Sequence, residues 1–293
     1  MAVHGGAWAI PPELLEGHRK GCTKALQLGL EILDAGGSSI DAVEAAVVFL
    51  EDDETFDAGF GSFLNVAGRV TLDAGMMDGR TLATGSVADV SGVPNPILLA
   101  RRVLESPHAV LVGPGAHAFG VDQRVPVCDP ETLISERERM RWEEMRAADT
   151  SGWAADLFGD TVGAVAMDAE GNLAAATSTG GSPMKPLGRV GDSPFIGAGL
   201  YANNESAAVS TTGHGELIIP LVWSKSAADL TRSGFGASEA THGAISQLEA
   251  VGARGGLIMV DRGGSVGVAW NTPTMAFAYL DPATGEIVAG PGA

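Results

Sequence analysis

A threonine in the middle of the chain, Thr161, has neighbours that could turn a hydroxyl into a nucleophile. It follows Phe158-Gly159-Asp160 and opens a run of small and β-branched residues that predicts a strand. A threonine hydroxyl attacks poorly at neutral pH unless a base lies beside it. Cleavage of the bond before Thr161 would free an α-amine, which titrates at about 7.7–8.0 and could be that base. Taken alone, the triplet Gly159-Asp160-Thr161 is more typical of a turn leading into a strand.

Two charged side chains farther along the chain could bind the two ends of an amino acid. Arg189 and Asp192 lie in a glycine-flanked loop, residues 188–194. A guanidinium binds a carboxylate through two parallel hydrogen bonds, and a carboxylate accepts from an ammonium. Asparagine and β-aspartyl peptides both carry free α groups and a side-chain amide. Alternatively, Arg189 and Asp192 form an ordinary surface ion pair, worth about 0–1 kcal/mol. Without further motifs, this second interpretation is the better one.

These residues belong to a longer series of motifs. The others are Val3-His4-Gly5-Gly6-Ala7, Phe56-Asp57-Ala58-Gly59-Phe60-Gly61-Ser62, Met77-Asp78-Gly79, Thr177-Ser178-Thr179-Gly180-Gly181 and Thr211-Thr212-Gly213-His214-Gly215-Glu216. In order and spacing the series resembles the isoaspartyl peptidase/L-asparaginase family, or plant-type asparaginases. Those proteins are N-terminal nucleophile hydrolases that cleave themselves to expose a catalytic threonine. The resemblance extends from His4 to about Asn271.

The resemblance implies self-cleavage between Asp160 and Thr161. It would give residues 1–160, the α subunit, and residues 161–293, the β subunit. Thr161 would be the nucleophile, and Thr179 would orient it. The glycine-rich loop His4-Gly5-Gly6 would support the strained bond before cleavage.

The same resemblance implies a substrate site. Thr212 and Gly213 would form the oxyanion hole, with a hydroxyl and a backbone N–H aimed at the developing negative charge. Arg189 would bind the α-carboxylate of the substrate. Asp192 and the carbonyl of Gly215 would bind its α-ammonium.

One further implication concerns a loop near residue 55. Relatives hold a structural sodium ion there through backbone carbonyls, and no other cofactor is expected. The corresponding ligands would be Leu50, Glu51, Asp53, Phe56, Ala58 and Phe60. In the same loop the family often has Asn where this chain has Asp57. An aspartate donates a hydrogen bond only when protonated, so we do not assign Asp57 a catalytic role.

Composition limits the classes of protein and the location that we expect. The 293-residue chain is 45% hydrophobic and 18% charged, which is enough for a packed core. Its net charge of −18 repels nucleic acid, so no such partner is expected. No run of apolar residues is long enough for a membrane span, and no secretory signal is predicted. Cys22 and Cys128 are expected to be reduced and buried, and a cytoplasmic location is expected.

The order of predicted elements favours an α+β fold, because strands and helices do not alternate strictly. Helices are predicted over 12–35, 38–50, 94–104, 131–149, 216–229 and 238–251, the fourth leading into a mobile linker. Strands are predicted over 70–73, 84–88, 109–112, 162–168, 173–178, 257–260, 266–270 and 276–280. The family resemblance implies a four-layer αββα sandwich, with two antiparallel sheets faced by helices and a single domain over 1–293.

Three functions remain open at this point. The first is hydrolysis of β-aspartyl dipeptides and asparagine by a self-cleaved dimer of heterodimers. The second is a glycosylasparaginase-like amidase, which secretion or disulfides would favour. The third is an uncleaved, catalytically silent protein that binds small amino acids through Arg189 and Asp192.

Overall fold

A computed structural model describes residues 1–148 and 160–291. The helices are α1 Pro12–Asp34, α2 Ser39–Asp52, α3 Pro96–Leu104, α4 Gly113–Asp122, α5 Glu136–Ala147, α6 Gly215–Leu221, α7 Trp223–Arg232 and α8 Ala237–Ala250. The strands are β1 Ala2–Trp8, β2 Leu72–Asp78, β3 Thr84–Val90, β4 Val110–Val112, β5 Val162–Met167, β6 Leu173–Thr179, β7 Leu200–Ala202, β8 Ala207–Gly213, β9 Gly255–Asp261, β10 Val266–Trp270, β11 Thr274–Leu280 and β12 Ile287–Gly290. The linker expected after α5 lies outside the described residues.

The strands form two sheets. The larger has eight strands in the order β12-β11-β1-β5-β6-β2-β3-β4, and the smaller has four in the order β10-β9-β8-β7. Strands from both sides of residue 161 therefore alternate within one sheet. Every neighbouring pair is antiparallel except β3 and β4. That pair is parallel because α3 forms a crossover between the two strands, so the expectation of purely antiparallel sheets is wrong at this edge.

The chain is an αββα sandwich of four packed layers. One apolar cluster fills the space between α1–α4 and the larger sheet, a second lies between the sheets, and a third lies under α7 and α8. In β5, Val162, Ala164 and Ala166 face the helices, whereas Val165 faces the other sheet. Small side chains on these central strands let the layers approach closely.

Helix ends follow local sequence signals. Proline begins α1, and the Ser38 hydroxyl accepts the backbone N–H of Asp41 at 3.2 Å to cap α2. The predicted helix over 216–229 is instead two helices. Pro220 lies inside α6, and Val222 has a φ of 47° between α6 and α7, so one continuous helix is interrupted there.

Among the described residues, no helix is long and apolar enough to cross a membrane. Neither cysteine forms a disulfide within the described residues. Cys22 is buried, as expected, but Cys128 is half-buried, so the expectation of burial is wrong for Cys128.

Candidate active site

The β5–β6 hairpin places two threonine hydroxyls side by side. Thr161 directly precedes β5 and Thr179 ends β6, and the pairing of Val162 with Ser178 brings these two ends together. The Thr161 hydroxyl donates to Thr179 Oγ1 at 3.2 Å, and both residues are buried. Thr179 Oγ1 also accepts the backbone N–H of Gly181 at 2.9 Å. The candidate nucleophile therefore has a fixed neighbour on the central strands of the larger sheet.

The residue before Thr161 packs against the glycine-rich segment of β1. The sequence predicted a loop there, but His4-Gly5-Gly6 lies within the strand, where its register with β11 shifts. Gly6 has a φ of +94°, a conformation that side chains other than glycine rarely adopt. A Cβ atom at Gly6 would also collide with Oδ1 of Asp160. Two features therefore require glycine at this position: the backbone conformation, and the Asp160 carboxyl that packs against the residue.

His4, two residues earlier, joins the two sheets. Its Nε2 lies 2.8 Å from the Ser210 hydroxyl, which lies 2.7 Å from the Thr177 hydroxyl. Thr177 donates in turn to the carbonyl of Gly199 at 3.3 Å, so a chain of hydrogen bonds runs from His4 to the residue that precedes β7. Burial lowers the pKa of His4 to about 3, which keeps the imidazole neutral. A Cβ at Gly163 would collide with Ser210, so this crossing needs glycine.

Arg189, Asp192 and Gly215 meet at the start of α6. A Cβ at Gly215 would lie 2.9 Å from Asp192 Oδ1 and 3.3 Å from Arg189 Nη2. The three residues expected to bind the two ends of an amino acid are therefore neighbours in the structure. The Thr211 hydroxyl donates a hydrogen bond to Asp192 Oδ2 at 3.3 Å.

In the structure the Arg189 guanidinium already contacts a carboxylate, that of Glu216. Its Nε and Nη2 lie 3.0 and 2.9 Å from Oε1 of Glu216. The Arg189 side chain is 17% exposed, whereas that of Glu216 is 59% exposed. An exposed ion pair of this kind contributes little, about 0–1 kcal/mol, so a substrate carboxylate could replace it.

Thr212 and Gly213 end β8. Side chains alternate along a strand, so Thr212 shares the face of Ser210, which lies against Gly163. The buried Thr212 hydroxyl has no hydrogen-bond partner among residues 1–148 and 160–291. Gly213 has a φ of +142°. A hydroxyl without a partner at this end of the strand is available to a ligand.

The loop after α2 brings backbone oxygens together, as a carbonyl cation site requires. The carbonyl of Glu51 accepts the N–H of Phe60 at 2.8 Å. A Cβ at Gly59 would lie 2.5 Å from the Glu51 carbonyl oxygen and 2.6 Å from that of Pro94. Of the six expected ligands, Glu51 alone is at this point, and its partner there is Pro94, which is not among the expected ligands.

Asp57 ties the same loop to the hairpin. Its Oδ1 accepts the N–H of Phe63 at 2.7 Å, and its carbonyl accepts the N–H of Gly180 at 2.9 Å. Burial raises the pKa of the Asp57 carboxyl well above its ordinary value, which favours the protonated form. These contacts give Asp57 a structural part beside Thr179.

Comparison with known proteins agrees with this arrangement. A family model described as asparaginase matches residues 1–288. The chain belongs to this asparaginase family. Three relatives illustrate the match within it. Isoaspartyl peptidase/L-asparaginase of Xenopus laevis is 42% identical over 283 residues, which cover 96% of this chain and 91% of that protein. The protein of the same name from Homo sapiens is 43% identical, with coverages of 95% and 92%. Plant-type L-asparaginase of Pyrococcus abyssi is 42% identical, with both coverages at 99%.

Sequence reasoning missed a histidine that contacts the residue before Thr161. His18 of α1 lies 2.8 Å from Asp160 through Nε2 and Oδ2, although 142 positions separate the two residues. Burial opposes a charged imidazole, yet the Asp160 carboxylate leaves the pKa of His18 above its ordinary value. Burial also raises the pKa of Asp160.

The turn between β9 and β10 contains a serine with the spacing of a known hydrolase motif. Gly263-Gly264-Ser265-Val266-Gly267 has the G-x-S-x-G spacing of some serine hydrolases. That motif requires a turn from a strand into a helix, whereas these residues turn from β9 into β10. Ser265 is exposed in this hairpin, so the structure gives it no catalytic setting.

Proposed function

We propose that this protein is a self-cleaving threonine amidohydrolase that hydrolyses β-aspartyl dipeptides and the side-chain amide of L-asparagine. The observation that supports it most is the 3.2 Å contact between the hydroxyls of Thr161 and Thr179 at the start of a central strand. The second support is the grouping of Arg189 and Asp192 around Gly215, which suits an amino acid with both α groups free. The names of the family relatives agree with this substrate class.

Self-cleavage would begin with attack of Thr161 Oγ1 on the carbonyl carbon of Asp160. A C–O bond forms, the C–N bond to Thr161 breaks, and the hydroxyl proton passes to the released nitrogen. That nitrogen is the free α-amine of Thr161. Water then hydrolyses the ester, which leaves a carboxylate on Asp160 and restores the Thr161 hydroxyl. The product is residues 1–160 and 161–293, held together within one sheet.

Turnover would use the new α-amine of Thr161 as the base. The amine takes the hydroxyl proton as Oγ1 attacks the substrate amide, and the oxyanion receives hydrogen bonds from the Thr212 hydroxyl and the Gly213 N–H. Protonation of the leaving nitrogen releases ammonia, or an amino acid from a dipeptide. Water then hydrolyses the β-aspartyl ester, and aspartate leaves.

The test is a set of matched substrates with the purified protein. We expect release of aspartate from asparagine and from β-aspartyl dipeptides, and none from the α-aspartyl isomers, whose scissile carbonyl is not on the side chain. Preference for sugar-linked asparagine would favour the glycosylasparaginase-like alternative instead. Binding of aspartate without turnover of any of these compounds would favour the silent homologue.

The pH dependence of substrate binding follows from Asp192. Burial raises the pKa of its carboxyl to about 6. A carboxyl is neutral below its pKa, so the salt bridge to the substrate ammonium is lost as the pH falls through that value. We expect KM for asparagine to rise below about pH 6 and to be constant above it, whereas the α-amine of Thr161 affects kcat. The measurement is KM against pH for the wild type and Asp192→Asn. A wild-type KM that does not change between about pH 5 and 7 contradicts this assignment.

A structural sodium ion is part of the proposal. The backbone carbonyls of the loop after α2 would hold it, namely those of Leu50, Glu51, Asp53, Phe56, Ala58 and Phe60. The ion would stiffen the loop in which the Asp57 carbonyl accepts the N–H of Gly180. We expect a higher Tm in sodium chloride than in choline chloride at equal ionic strength, with potassium chloride as a size control. Equal Tm values in all three salts count against the site.

Assembly and location complete the proposal. The cleaved protein would form a dimer of heterodimers in the cytoplasm. Cys22 and Cys128 form no disulfide within the described residues, which suits that compartment. Light scattering of the cleaved protein measures the assembly, and a mass of one heterodimer would exclude the dimer.

A further inference from the structure

His18 makes a buried contact with the residue that precedes the bond to be cut. We propose that His18 is a positioning residue for self-cleavage, which holds the Asp160 side chain and thereby the carbonyl carbon that Thr161 attacks. This inference rests on the proposed self-cleavage and adds a residue to it. Neither the motif series nor the sequence spacing includes His18.

Both nitrogens of the His18 ring are fixed. Nδ1 lies 2.9 Å from the carbonyl oxygen of Leu14, one turn earlier in α1. A carbonyl only accepts, so Nδ1 carries a hydrogen and Nε2 is the atom that faces Asp160. The ring also packs edge-on against Phe56, with centroids 5.1 Å apart, and lies 6.3 Å from the ring of Trp8. The imidazole is therefore held in one orientation before Asp160 meets it.

Asp160 is in turn restrained at both carboxyl oxygens. Oδ2 lies 2.8 Å from His18 Nε2, and Oδ1 packs on the backbone of Gly6. The exposed fractions of the His18 and Asp160 side chains are 0% and 4%. A buried pair of this kind is weak evidence for stability, because desolvation opposes the attraction between its members. Its position directly before Thr161 points to a role in placing the scissile bond.

The Asp160 side chain lies at the edge of an open space. A cavity of about 160 Å³ adjoins Asp160 and is lined by Trp8, Asp57, Glu138 and Arg141 among others. Without His18 the Asp160 side chain could turn into that space. Misplacement of reacting groups by about 1 Å costs on the order of 100-fold in rate, so loss of this one hydrogen bond would slow cleavage.

The proposed role is confined to the uncleaved chain. After cleavage Asp160 is the end of the first segment, whereas Thr161, Arg189 and Asp192 all belong to the second. Loss of His18 should therefore change how fast the chain is cut and leave turnover by cut molecules largely unaffected. A purely structural role in the core would change both.

The experiment follows self-cleavage in time by intact mass after cell-free synthesis. His18→Leu introduces an apolar side chain of similar size, which removes both hydrogen bonds. His18→Gln retains a polar group that can reach Asp160. His242→Leu is the matched control, because His242 makes the same bond to a carbonyl four residues earlier, at 2.8 Å, but is exposed on α8. The kcat and KM of the cleaved fraction are measured for each variant.

We expect His18→Leu to slow cleavage between about 10- and 100-fold, with His18→Gln intermediate and His242→Leu equal to the wild type. Cleavage of His18→Leu at the wild-type rate, no rescue by His18→Gln, or an equal loss in kcat of the cleaved fraction each overturns the inference. A wild type that never cleaves overturns the proposed function itself. If His18→Leu does not fold, Asp160→Asn and Asp160→Leu replace it, since Asn can still bond to His18 and should cleave faster than Leu.

Discussion

Replacement of Thr161 by alanine is expected to leave the chain uncut and to lower hydrolysis of asparagine at least about 10⁴-fold. The substitution removes the hydroxyl that attacks in both reactions, and without a cut no α-amine is available as base. The fold should survive, because the Thr161 hydroxyl makes one hydrogen bond, to Thr179. The measurements are the fraction cleaved by intact mass, the rate of ammonia release and the Tm.

Thr161→Ser is the matched control for this prediction. Serine keeps the hydroxyl and loses one methyl group, so the chain should still be cut and remain active at a reduced rate. Cleavage of Thr161→Ala at the same position would show that another group attacks. Full hydrolytic activity in an uncut Thr161→Ala protein would exclude Thr161 as nucleophile in turnover.

Replacement of Arg189 by alanine is expected to lower kcat/KM for asparagine about 100- to 1000-fold, mainly through KM. Hydrogen bonds to charged groups contribute about 1.5–3 kcal/mol each, and the guanidinium can give two of them to one carboxylate. Arg189→Lys keeps the charge without the planar fork and should restore only part of the loss. Self-cleavage needs no substrate carboxylate, so both variants should still be cut.

A substrate analogue isolates the contact that Arg189 is expected to make. When the α-carboxylate of asparagine is replaced by a neutral amide, the wild type and Arg189→Ala should become nearly equal. Glu216→Gln gives the opposite result with asparagine, a lower KM, because Glu216 occupies the same guanidinium at 2.9 Å. If Arg189→Ala discriminates against the neutral analogue as strongly as the wild type does, Arg189 does not bind the carboxylate.

Much of the fold was predictable where the signal is local. Helix α1 follows from apolar spacing between Pro12 and Gly36, and the β5–β6 hairpin follows from the turn over 169–172. Strand β8 was missed because Ala207–Gly213 consists of small residues that do not alternate apolar with polar. The break between α6 and α7 had a visible cause in Pro220 that the apolar pattern over 216–229 concealed.

The contacts of the candidate site likewise differ in how far apart their residues are in the sequence. The contact between Thr161 and Thr179 is local, because one hairpin connects the two residues, and Arg189 and Asp192 lie in one loop. The contact of His18 with Asp160 joins residues 142 positions apart, and that between His4 and Ser210 joins residues 206 positions apart. Such contacts depend on how the layers pack, and spacing along the chain does not carry that information.

The measurement that tests the central claim most directly is the intact mass of the purified protein. We expect two species, residues 1–160 and residues 161–293 with Thr161 as the new N-terminus, in equal amounts. A single species near 29.8 kDa that persists after long incubation would contradict self-activation at Thr161.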